Sequence, residues 1–161
     1  MPHGAQASSA LRCPSDRVRA VPLFAPRPDQ QLTPGPRHDL KNLLRETLVQ
    51  GSEILGVDLL PARERIEIDF TRRPVKCRSA TAYYTNDTPH GSGRIAVNRL
   101  LGSPDVTAET MRFLLWHEYL HLHLKVLHPP SFRELERKWP TFVASVRELQ
   151  NLGERFGIQY W

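Results

Sequence analysis

The chain has 161 residues and a formal net charge of +5, enough for one well-buried core and too short for two comfortable ones. Arg12, Arg17, Arg19, Arg27 and Arg37 against Asp16 and Asp29 put +3 into residues 1–38, leaving 17 basic and 15 acidic residues, or +2, for the rest. Nucleic-acid binding is permitted by that balance and not demanded. Cys13 and Cys77 make no disulfide framework, which fits a reducing, cytoplasmic setting, and no apolar run approaches the roughly 20 residues of a membrane span.

Residues 1–38 hold seven of the 14 prolines and little periodic apolarity, so they read as a disordered or extended leader. The folded domain is expected over 39–161. Asp39 is a good N-cap, followed by Leu40, Leu43, Leu44, Leu48, Ile54 and Leu55 at helical spacing, with Gly56 and Pro61 ending the helix. Alternation of Ile66, Ile68 and Phe70 with charged neighbours predicts a half-buried strand. A second strand is expected over Val75–Tyr84, then a turn-rich loop, then a third over Arg94–Asn98. Ser103-Pro104 or Thr107 opens a helix expected to run to about Leu127, where Pro129-Pro130 stops it. Ser131-Phe132-Arg133-Glu134 reads as a capping box for another helix, and Pro140-Thr141 begins a last one closed by Gly153. Helix, small three-stranded sheet, then helices is an α+β domain.

The most informative segment is His117-Glu118-Tyr119-Leu120-His121, an HExxH motif inside a run apolar on nearly all sides. With 7 His and 10 Glu in the chain, roughly 0.02 accidental matches are expected. On a helix, His117 and His121 share one face and reach one metal ion. Glu118, rotated by about 100°, is placed to contact a water there rather than the metal. Burying these groups without a partner is costly, and a cation supplies one.

A catalytic zinc usually takes three protein ligands and keeps one position open. Were the helix to continue, His128 would lie about 10 Å beyond His121 along its axis; the Pro129-Pro130 break lets the chain turn back there. Glu134, Glu136 and Glu148 serve instead if the third ligand is a carboxylate. His123 is rotated about 200° from His121 and points away.

Three stretches resemble the SprT-like and YgjP-like metallopeptidases: Gly93 to Leu101, Leu114 to Leu122, and His128-Pro129-Pro130-Ser131-Phe132. The likeness covers 39 to about 140, with six residues between His121 and His128, one more than the YgjP-like spacing. It implies a compact zincin-like fold, Zn2+ held by His117, His121 and His128, and Glu118 as general base in the hydrolysis of a protein or peptide substrate. Phe113, Trp116 and Leu120 are expected to wall the site, and Tyr83, Tyr84 or Tyr119 to offer an oxyanion donor. Arg72, Arg73, Lys76 and Arg78 form a basic cluster, read first as a solvated strand edge and second as a phosphate contact. Two alternatives stand beside this: an ImmA/IrrE-like regulatory metallopeptidase with a carboxylate third ligand, and a non-catalytic zinc-containing protein- or DNA-binding module. Cys13 loosely resembles the cysteine switch of secreted matrix metalloproteases, which would make it a leader thiolate that keeps the site latent.

Overall fold

A computed structural model describes residues 38–75 and 78–158. The bulk of the expected leader, Cys13, Lys76 and Cys77 lie outside the described residues. Helix α1 spans Leu40–Leu55; Asp39 caps it by accepting from Lys41 and Asn42, and Gly56 closes it in the left-handed conformation. A 3₁₀ turn over Leu60–Arg65 leads into β1, Ile66–Phe70. Strands β2, Ala80–Tyr83, and β3, Gly93–Val97, complete the sheet. After a second 3₁₀ turn, Arg99–Gly102, come α2 (Ala108–Leu124), α3 (Pro130–Arg137) and α4 (Phe142–Phe156). The fold is mixed α+β. No helix among the described residues is long and apolar enough to cross a membrane.

The strand order is β1-β3-β2, with β1 parallel and β2 antiparallel to β3. Gly93 opens the central strand at φ 143°, where a Cβ would run into the Tyr83 carbonyl and stand 2.9 Å from Leu122 Cδ2; only glycine suits that crossing. Helix α2 is the hub of the core, packed by α1, α3, α4 and the sheet. Met111, Phe113, Leu115, Trp116, Leu120 and Leu122 are all sealed from solvent, each worth about 1.5–3 kcal/mol of burial for a side chain of Leu or Phe size. Gly51 in α1 lets the Trp116 indole lie against the helix backbone, with no room for a Cβ.

Four sequence expectations are corrected. Helix α2 ends at Leu124 rather than near Leu127, because Lys125 takes the left-handed conformation, φ 54°. Its ammonium rewards that turn by donating to the carbonyls of Thr85, Asn86 and Thr88 in the β2–β3 loop. The capping box does not form: α3 begins at Pro130, behind an extended Pro129, and no side chain caps it. The fixed φ of Pro130 suits the first helical position, which puts Ser131 inside the helix. Gly153 lies within α4, whose left-handed closure falls at Gly157. The second strand is confined to Ala80–Tyr83, since the chain before it is gathered onto buried Asn98. That side chain donates to the Arg78 carbonyl at 2.9 Å and accepts from Leu100 at 3.1 Å.

Candidate metal centre

Helical spacing in α2 places the Nε2 atoms of His117 and His121 3.2 Å apart. Beyond Lys125 the chain doubles back, and His121 Nδ1 bonds the Val126 carbonyl at 2.8 Å. Two residues later His128 arrives with its Nε2 3.1 Å from that of His121 and 3.2 Å from that of His117. The expected trio is therefore brought together.

The far side of each helical imidazole is fixed. A carbonyl only accepts, so His121 donates from Nδ1 to Val126 and its Nε2 lone pair faces the cluster. His117 Nδ1 lies 2.7 Å from Glu136 Oε1, and Glu136 Oε2 takes a 2.8 Å bond from Arg133 Nη1. Burial works to raise the Glu136 carboxyl, but the bonds from His117 and Arg133 outweigh it and hold the group below its usual range. An ionised carboxylate also only accepts, so His117 too donates from Nδ1. With both outer nitrogens engaged, the Nε2 atoms of His117 and His121 face that of His128. Burial, aided by the neighbouring His117, lowers both His121 and His128 to about 4. These rings are uncharged bases at neutral pH, as metal coordination requires.

The residues fit zinc. Nitrogens about 2.0–2.1 Å from a tetrahedral zinc stand about 3.3 Å from one another, close to the 3.1–3.2 Å separations here. A neutral His₃ donor set with bonded outer nitrogens is also the chemistry zinc takes. Phe132 of α3 supplies the apolar floor, its ring centroid 5.1 Å from His117, 4.6 Å from His121 and 5.1 Å from His128.

Glu118 is 5% exposed. Burial raises its carboxyl above the ordinary value; the fields of His117 and Arg78 and a hydrogen bond from the Ala82 backbone amide act in the opposite sense. Ala82 belongs to β2, which pairs with β3 alone among the described strands. The carboxylate therefore lies between the histidine cluster and a sheet edge.

The other candidates fall elsewhere. Glu134 is exposed, 4.0 Å from Lys138. Glu148 grips the start of α2, accepting from the Thr107 amide at 2.8 Å and from the Thr107 and Thr110 hydroxyls at 2.8 and 2.7 Å. Glu136 sits behind His117 rather than beside His121 and His128. His123 stacks on Tyr119 with centroids 5.7 Å apart. Tyr119, pushed up to about 12 by burial, also stacks with Trp116, while Tyr83 is exposed. Trp116 also stacks on Trp139 and Phe113 meets Phe142 edge-on, so these two rings build the core behind the helix. Arg72 and Arg73 are exposed, whereas Arg78 is half-buried and bonds Thr81 at 3.2 Å.

Sequence reasoning missed the pairing of Glu136 with His117, the support from Arg133, and Ala82. One signal was present: Phe132, Glu136 and Trp139 follow helical spacing, which puts a carboxylate on the buried face of α3. No protein-family model matches this chain, and no curated protein matches it.

Proposed function

We propose that this chain is a zinc-dependent metallopeptidase of zincin-like design, with His117, His121 and His128 holding the metal and Glu118 as general base. The observation that carries the reading is the convergence of three Nε2 atoms within 3.2 Å of one another beside a buried carboxylate. Zinc held there would act as a Lewis acid on water and on a scissile carbonyl. Glu118 takes the proton of the attacking water and returns it to the leaving amine. Its upward shift makes it a stronger base than an exposed glutamate, and the Ala82 amide orients it. An extended peptide lying along the free edge of β2 would pass this carboxylate without any side-chain code.

A purely structural zinc site has no use for a desolvated carboxylate one residue from a ligand, which favours the hydrolase over the binding module. The ImmA/IrrE-like alternative needs a carboxylate where His128 stands. Glu118→Gln tests the proposal: peptide hydrolysis should fall by about 10²–10⁴-fold while zinc stays near one per chain. Turnover that persists in this variant defeats the mechanism.

A further inference from the structure

Behind the histidine cluster lies a chain of contacts that metal ligation alone does not require. His117 Nδ1 meets Glu136 Oε1 at 2.7 Å, and Arg133 Nη1 holds Glu136 Oε2 at 2.8 Å. Glu136 and His117 are 1% and 3% exposed, whereas Arg133 is 30% exposed. All three elements of this relay are pinned: His117 by the middle of α2, and Glu136 and Arg133 by successive turns of α3. Stability alone is a poor reason to keep such a group, because an apolar residue of similar volume usually serves a core as well as a buried ion pair does. The carboxylate instead sits where it dictates which nitrogen of a neighbouring imidazole stays bare.

We propose that Glu136 is a positioning residue, which locks His117 in the Nδ1–H tautomer with Nε2 aimed at His121 and His128 and thereby sets the affinity of the cluster for a divalent cation. Arg133 has a secondary part in this: it occupies the distal oxygen, so that Oε1 alone is turned toward the ring. Its charge also balances that of Glu136, so the pair contributes orientation and not a net negative charge. This inference rests on the metal-centre reading above and adds to it a residue from outside the HExxH segment.

The tautomer is the first readout and needs no metal. In the metal-free, ¹⁵N-labelled full chain, long-range ¹H–¹⁵N correlations should show His117 protonated at Nδ1; protonation at Nε2 overturns the proposal. The second readout is zinc affinity, measured by competition with a chromophoric chelator. Glu136→Ala should weaken binding by about 10–100-fold, the usual effect of losing such an outer partner. Glu136→Gln, which retains an acceptor oxygen, should fall between that variant and the wild type. A variant that loses thermal stability but binds zinc as the wild type does would make Glu136 a mere helix–helix staple, and the proposal fails. Should the substitutions prevent folding, the tautomer measurement on the wild-type chain still decides. Failure of the underlying reading looks different: wild-type chain that takes up no zinc removes the metal centre itself, whereas equal affinity in wild type and Glu136→Ala removes only this role.

Discussion

His121 and Val126 are joined by a 2.8 Å bond from the imidazole Nδ1 to the main-chain carbonyl, so the residue that begins the return loop also fixes the ring on which the loop closes. The bond does two jobs with one proton. It bares the Nε2 of His121, and it holds the chain two residues short of His128 close to the helix it has just left.

Removal of His128 should therefore cost more than an outer-shell change. We expect His128→Ala to weaken zinc binding by more than about 100-fold, beyond the range for second-sphere partners, while Glu134→Ala binds as the wild type. Metal analysis of the two variants prepared side by side checks this, and a reversed ranking would assign the third ligand to the carboxylate.

Acid should destabilise the metal-free fold in a defined window. Burial, with the adjoining His117, lowers His121 and His128 to about 4, against an ordinary value of about 6.5. Between these values the unfolded chain binds more protons than the folded one, so stability is lost as pH falls from about 6.5 to 4. Glu118, raised by burial, opposes this: its contribution is full below the ordinary carboxylate value and fades as pH rises through the folded one. Urea midpoints of chelator-treated protein at pH 7, 6, 5 and 4.5 should fall steadily; a flat or rising series contradicts the assignment.

Gly51→Ala has a sign opposite to the helix rule. In an open helix the change gains about 0.5–1 kcal/mol. Here the new methyl would run into the Trp116 ring and lie 3.2 Å from Leu59 Cδ1, and overpacking costs about 1–3 kcal/mol. Chemical denaturation should show a net loss of stability.

Lys125→Met keeps the left-handed backbone position and deletes the ammonium that ties the Thr85, Asn86 and Thr88 carbonyls. Hydrogen bonds from a charged donor contribute about 1.5–3 kcal/mol. Amide exchange in the 85–88 loop should accelerate, and Lys125→Gly, which relieves the backbone strain, should be less harmful than Lys125→Met.

Much of this architecture was legible because its signals are local. Asp39, Gly56 and Thr107 act as caps by chemistry confined to a few neighbouring residues, and the spacing of His117 and His121 follows from helix geometry alone. The points that escaped depend on distant partners. Lys125 ends α2 early because its ammonium finds carbonyls some forty residues upstream, which no pattern within 108–130 announces. Strand β2 starts late because Asn98 gathers the preceding segment, and a buried asparagine at a strand end reads like any polar terminus. Glu136 reads as a candidate ligand because a carboxylate is visible in the sequence, whereas its contact with His117 depends on how α3 docks against α2.

The grip of Glu148 on the first turn of α2 bears on how portable the motif is. The five-residue signature is compact, yet its helix is anchored at one end by α4 and at the other by the return loop and α3. Transplanting 117–128 into a foreign scaffold would carry the imidazoles without the moorings that aim them, and trimming the chain back to about residue 140 would unfasten the same helix from its opposite end.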